Sequence, residues 1–281
     1  MHSRCAKLGI DMDSTSRDKG VRTRVYHITF YDHDNSAYIQ FLGCNLSCLG
    51  CIRKRYLWDH HIENIDQAID AKTAIRTLTL GELEDILRKA VDVLGLRRAV
   101  LGGGEPTSDP SFCQIIEILG ELGLSISILT NGYELDRVLG CIPPKTLIEL
   151  SIKSIDSTKY SLYTGGGDLN KVLKNFEMLL NTQLNVVVET ILIPQFNDVD
   201  DIEKLAMYIA GKDPGIPLII DEYIPVPQTP WGRPSRESLL DAYRRARKYL
   251  HIVIVRSSYP EFHTSKKLGN TLILYPSSQI R

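Results

Sequence analysis

The chain alternates between β-branched apolar runs and amphipathic stretches. Residues 21–30 (VRTRVYHITF) alternate in polarity and predict a strand, 31–36 (YDHDNS) a turn, and 37–42 (AYIQFL) a buried strand. A helix is predicted from Thr79-x-x-Glu82, a capping-box pattern, with Leu83, Ile86, Leu87, Ala90, Val91 and Leu94 at i, i+3, i+4 spacing. A short strand at 98–101 follows. Asp109-Pro110 then opens a helix whose buried face is Ile115, Ile116, Leu119 and Leu122. Further along come strands at 124–129, 147–152, 186–193, 218–224 and 252–255. They are separated by helices at 134–139, 169–180, 200–209 (capped by Asp200-x-x-Glu203) and 235–250, and a last apolar run spans 271–275.

Strand, loop and helix thus repeat about six times without an internal sequence repeat. Repeated right-handed βαβ units imply a parallel sheet. The expected class is α/β, a partial (β/α)6 TIM-type barrel with parallel strands. The expected organisation is an N-terminal arm and strand at 1–35, the barrel at 36–256 and a C-terminal tail at 257–281 packing on it. In such a fold the βα loops gather at the C-terminal strand ends and carry the active site. The unusual residues all fall there. The cysteine-rich stretch, 102–107 (GGGEPT), 130–132 (TNG), Lys153 and 194–197 each follow a predicted strand.

Composition narrows the picture. The 281 residues are 43% hydrophobic and 24% charged, with a formal net charge of −1. This is ordinary for a globular chain and gives no global pull toward nucleic acid or anionic membrane. Residues 1–20 are polar and lack the apolar segment of a signal peptide, and no run reaches the length of a membrane span. Six cysteines are too few for a disulfide scaffold, so a reducing, cytoplasmic setting is expected. Cys113 and Cys141 read as small core residues.

Cys44, Cys48 and Cys51 stand apart from these, clustered at C-x3-C-x2-C spacing. A structural zinc takes four ligands and would need a second Cys/His pair. A cubane cluster is normally held by four cysteines. Three local thiolates leave one iron open to another ligand.

A strand followed by CxxxCxxC, then strand-GGEP, strand-TNG and strand-Lys, resembles the radical S-adenosylmethionine (radical SAM) superfamily. It is most similar to the pyruvate formate-lyase, or glycyl-radical enzyme, activating group, over roughly residues 37–225. The resemblance implies that Cys44, Cys48 and Cys51 hold a [4Fe-4S] cluster whose open iron binds SAM. One electron would cleave SAM to a 5′-deoxyadenosyl radical that abstracts a hydrogen atom. It implies SAM contacts from Gly103, Gly104, Glu105 and Pro106, with the carboxylate of Glu105 facing the SAM ammonium. Thr130 and Asn131 would reach ribose or methionine, Lys153 the SAM carboxylate, and Glu189 the ribose. The implied partners are a glycyl-radical enzyme as protein substrate and an electron donor such as flavodoxin or ferredoxin. Alternatives are a radical SAM enzyme acting on a small molecule, nucleoside or other protein residue, and a non-catalytic iron–sulfur or zinc-binding protein. The last of these would need neither the glycines nor Glu105.

The sequence departs from the family pattern in three places. Gly50 stands where an aromatic usually precedes the last cysteine and packs on adenine, which leaves Tyr56 or Trp58 as substitutes or as plain core aromatics. Leu129 replaces an aspartate that helps bind a monovalent cation. Asp34-Asn35-Ser36 stands near the place of a Gly-Pro-Gly signature. Arg53-Lys54-Arg55 reads either as a grip for an anionic substrate or reductant or as a solvated face. His60-His61 reads as metal ligands or a surface pair. The segment 223–231 (YIPVPQTPW) reads as part of the substrate mouth or as a rigid linker.

Overall fold

A computed structural model describes residues 18–62, 75–262 and 271–276. The polar N-terminal arm expected at 1–20, together with Cys5, falls almost wholly outside them. The sheet has nine strands in the order β8-β7-β6-β5-β4-β3-β2-β1-β9. They are β1 Val25–Tyr31, β2 Ser36–Phe41, β3 Arg98–Gly103, β4 Ser125–Thr130, β5 Leu147–Ser151, β6 Asn185–Leu192, β7 Leu218–Glu222, β8 Val253–Arg256 and β9 Thr271–Tyr275. Pairing from β2 through β8 is parallel throughout, and the β1 pairs with β2 and β9 are antiparallel. The sheet does not close on itself, so the fold is a partial barrel.

The helices are α1 Leu80–Leu94, α2 Phe112–Glu121, α3 Leu135–Val138, α4 Ser157–Thr164, α5 Leu169–Leu179, α6 Val199–Ala210 and α7 Arg236–Ala246. They cover one face of the sheet. Ile128, Ile148, Val188 and Leu218 share that face by register and are fully buried against apolar helix residues such as Leu119, Phe176 and Ile202. The opposite face is more open and polar, and carries Leu129, Glu149, Ser151, Glu189, Asp221 and Arg256. Period-two alternation separates a greasy face from a functional one.

Local chemistry sets the boundaries. Thr79 and Glu82 form the expected capping box, with Thr79 N donating to Glu82 Oε2 at 2.9 Å. Gly95 ends α1 at φ 71°, a left-handed position that favours glycine. For α6 the box lies two residues earlier than the sequence pattern placed it, at Asp198 and Asp201. One expectation is corrected. Cys113 and Cys141 are not plain core residues: they form a disulfide joining α2 to the turn after α3, across 28 residues of sequence. The run 271–275 is a ninth strand, and it pairs with β1 at the sheet edge remote from β8. His27 helps fix it there by donating from Nδ1 to the Tyr275 carbonyl at 2.7 Å, while the Thr29 hydroxyl donates to Nε2.

Candidate active site at the cysteine loop

The loop holding Cys44, Cys48 and Cys51 leaves the C-terminal end of β2 and is pinned on two sides. On one side it is tied to the loop after β3, since Gly104 N donates to the Phe41 carbonyl at 2.8 Å and Glu105 N to the Gly43 carbonyl at 2.9 Å. A Cβ on Gly104 would lie 2.0 Å from Gly43 O and 2.6 Å from Phe41 O. This glycine is therefore required by the protein's own backbone, not only by approach of a cofactor. On the other side Ser47 N donates to Thr164 O at 3.0 Å and Leu49 N to Tyr163 O at 2.7 Å. Those carbonyls belong to α4, a helix the sequence pattern missed. Its sequence, STKYSLYT, has no apolar stripe of helical period. The readable signals were Asp156, which caps it by accepting from Lys159 N, and Gly165 just past its end at φ 74°.

Glu105 is 2% exposed. Its Oε1 accepts from Thr107 N (3.1 Å), the Thr107 hydroxyl (2.6 Å) and the Thr130 hydroxyl (2.7 Å), and its Oε2 accepts from Asn131 N (2.8 Å). Burial pushes its carboxyl up and these four bonds oppose that shift. Among the described residues no cation pairs with it, so the spare acceptor capacity, mostly on Oε2, suits a bound ammonium. Asn131 also donates from Nδ2 to Asn45 Oδ1 at 2.7 Å and approaches Cys44 Sγ at 3.5 Å. The loops after β2, β3 and β4 thus form one bonded unit.

Across the open face, Lys153 Nζ lies 2.9 Å and 3.2 Å from the two carboxylate oxygens of Glu189, which also accepts from the Ser151 hydroxyl. Burial would raise the Glu189 pKa, but Lys153, Arg256 and Ser151 reverse it and hold the carboxyl below its usual range. Burial likewise disfavours the Lys153 ammonium, and Glu189 more than restores it. Arg256 joins Asp221 at 2.6 Å and Glu149 at 2.7 Å on the same face. Sequence reading did not single out this triad, because its members are dispersed over β5, β7 and β8.

The aromatic neighbours differ from those the sequence suggested. Trp58 packs on Tyr26 and His27, with centroids 5.7 Å and 5.3 Å away, and Tyr56 stacks on His60. The groups that close on Gly50 are Tyr163 and Tyr223. A Cβ there would lie 2.7 Å from the Tyr163 hydroxyl and 2.9 Å from Tyr223 Cε2. Phe196 and Trp231 extend this wall beside Cys48 and Leu49, so the Pro-rich segment after β7 folds back onto the cysteine loop. The basic run splits. Arg53 turns inward over the Tyr26 ring, and its Nη1 donates to the Tyr26 hydroxyl at 2.6 Å, while Lys54 and Arg55 stay exposed. His61 Nδ1 is engaged by Asp59 at 2.9 Å.

The donor set fits an iron–sulfur group. With Cys113 and Cys141 paired, the free thiols among the described residues are Cys44, Cys48 and Cys51. Burial pushes the Cys48 thiol up to about 12 and raises that of Cys44, so ligation must displace protons. Two buried side-chain donors, Asn45 Nδ2 in this loop and the Tyr160 hydroxyl on α4, have no partner among the described residues.

Comparison with known proteins agrees. Residues 38–209 match the family model of the radical SAM superfamily. The chain belongs to that superfamily, whose members bind a [4Fe-4S] cluster and S-adenosylmethionine. It is 27% identical over 194 residues to a Methanocaldococcus jannaschii protein assigned as a glycyl-radical enzyme activating enzyme, covering 66% of this chain and 74% of that one. It is 29% identical over 196 residues to the GTP 3′,8-cyclase of Alkaliphilus oremlandii, where 68% of this chain matches 56% of the cyclase. The chain thus spans little more than half the length of that relative. In fold it is similar to a radical SAM methyltransferase from Sphaerobacter thermophilus, with TM-score 0.58 and 22% identity over 84% of this chain and 70% of that one. Among the described residues no helix is long and apolar enough to cross a membrane.

Proposed function

We propose that Cys44, Cys48 and Cys51 hold three irons of the cluster and that the adjoining rim binds SAM against the fourth. When bound, the cluster and SAM supply the 5′-deoxyadenosyl radical for hydrogen-atom abstraction. Glu105 takes the SAM ammonium, with its carboxylate aimed by Thr107, Thr130 and Asn131 N. Gly103, Gly104 and Pro106 shape its loop. Lys153 faces the SAM carboxylate, and Glu189, released from part of its pairing, accepts from the ribose hydroxyls. Tyr163 and Tyr223 form the aromatic wall that residue 50 does not provide. The observation that carries this reading is the buried carboxylate of Glu105, which pairs with no cation among the described residues and is bonded through Asn131 to the cysteine loop.

For the substrate, the first reading is a glycine of a partner enzyme, supported by the similarity to the activating-enzyme relative. The exposed Lys54 and Arg55 beside the loop suit an acidic electron donor such as flavodoxin or ferredoxin. A second reading, a nucleotide or other small anion, is favoured by the similarity to proteins named GTP 3′,8-cyclase and by the inward turn of Arg53. The test is anaerobic reconstitution with SAM, a reductant and each candidate. A glycyl radical signal on a protein partner supports the first reading. 5′-Deoxyadenosine formed in proportion to a consumed nucleotide, with no protein radical, overturns it in favour of the second.

A further inference from the structure

A buried polar atom in a native protein almost always has a hydrogen-bond partner. Of the two unpartnered side-chain atoms among the described residues, Asn45 Nδ2 lies in the cysteine loop and the Tyr160 hydroxyl belongs to α4, the helix that holds that loop. Asn45 sits next to Cys44. Its Oδ1 accepts from Asn131 Nδ2 at 2.7 Å, which fixes the amide orientation and makes the unpartnered atom an NH2 donor.

Tyr160 is 1% exposed and lies one turn before the end of α4, the helix whose last carbonyls hold the loop. The Thr164 hydroxyl donates to the Tyr160 carbonyl at 2.7 Å, and Thr164 O in turn accepts from Ser47 N. A Cβ on Gly167 would touch both the Tyr160 ring, at 3.1 Å, and the Leu46 side chain, at 3.2 Å. The edge of the tyrosine ring therefore lies near the Leu46 side chain of the loop. A tyrosine hydroxyl keeps its proton at neutral pH and can donate, and burial raises its pKa further. What both atoms lack is an acceptor. Inorganic sulfides and cysteine thiolates are acceptors, and two protein donors, Leu46 N at 3.4 Å and Asn131 Nδ2 at 3.5 Å, already point at Cys44 Sγ.

We propose that the Tyr160 hydroxyl and the Asn45 side-chain amide donate hydrogen bonds to sulfur atoms of the cluster and thereby raise its reduction potential. The proposal rests on the three-cysteine ligand set given above. Donors to cluster sulfurs favour the more negative, reduced state over the oxidised one. Removing either donor makes the cluster harder to reduce, so the potential falls.

The test is a redox titration of the reconstituted protein without SAM, followed by the electron paramagnetic resonance signal of the reduced cluster. The wild type is compared with Tyr160→Phe, Asn45→Ala and the double variant. Tyr208→Phe is the control, since that hydroxyl bonds Glu177 on the outer helices. The expected result is a lower potential for each single variant, a lower one still for the double variant, and no change for the control. A wild-type potential in Tyr160→Phe overturns the proposal and means that ordered water serves the hydroxyl instead. If Tyr160→Phe does not take up iron, an unchanged potential in Asn45→Ala overturns it equally. A wild-type chain that assembles no cluster overturns the ligand set and takes this proposal with it, whereas an intact cluster at unchanged potential overturns this proposal alone.

Discussion

Asn131 and Glu105 are joined by a 2.8 Å hydrogen bond from the Asn131 backbone amide to Glu105 Oε2, and the side chain of the same asparagine reaches Cys44 Sγ at 3.5 Å. One residue at the end of β4 therefore touches both halves of the site. Its two contacts use different atoms and can be separated. If Glu105 faces the SAM ammonium as proposed, Glu105→Gln removes that negative charge and should weaken SAM binding roughly tenfold to a hundredfold, the scale of one charged hydrogen bond. Asn131→Ala keeps the backbone donor, so SAM affinity should change little while the cluster is lost faster on chelator challenge. Calorimetric titration of SAM and the decay of cluster absorbance read the two effects. Equal SAM affinity in Glu105→Gln and wild type would sink the assignment of the carboxylate.

Gly104 has no room for a side chain, because its Cβ would meet backbone oxygens of the cysteine loop at 2.0 Å and 2.6 Å. Gly104→Ala should push that loop off the end of β3 and abolish iron uptake. Gly140, where an added methyl would meet nothing within 4 Å, should tolerate alanine. Iron content after reconstitution distinguishes them, and full loading of Gly104→Ala would contradict the packing described.

The pairing of β9 with β1 should be sensitive to acid. His27 is fully buried, and burial lowers its pKa to about 4, opposed in part by its bond to Tyr275. The unfolded chain takes up the proton near pH 6.5, so its contribution is present above that value and is lost as pH falls toward 4. The linkage amounts to about 3 kcal/mol. Melting curves of the cluster-free protein should drop between pH 6.5 and 4, and less so in His27→Asn. An identical drop in both proteins would place the acid sensitivity elsewhere.

The Cys113–Cys141 bridge closes a segment of 28 residues. Constraint of the unfolded chain over such a loop is worth about 3.5 kcal/mol. Cys113→Ser should lower the melting temperature under non-reducing conditions by several degrees, and a thiol reductant should do the same to wild type only. No difference between the two proteins would show that the bridge does not constrain folding.

Much of this was readable in the chain. Strand alternation, the Thr79–Glu82 box and the placement of odd residues after strands pointed to the parallel sheet and the rim. What stayed hidden depended on contacts between distant segments. Helix α4 lacked an apolar stripe because its buried residues are two tyrosines and a threonine. The disulfide left no trace in spacing. The ninth strand looked like a tail because its partner, β1, lies more than two hundred residues away in the chain, with Ile28 opposite Tyr275. Gly50 looked like a gap, yet its space is filled by Tyr163 and Tyr223 from two other elements. The glycines of 102–104 suggested room for a cofactor, and Gly104 turned out to make room for the protein's own backbone.

The most direct measurement of the central claim is the yield of 5′-deoxyadenosine from SAM under anaerobic reduction, for the reconstituted wild type against Cys48→Ala. The account predicts product from the wild type and none above background from the variant. SAM cleavage by Cys48→Ala at the wild-type rate would contradict it.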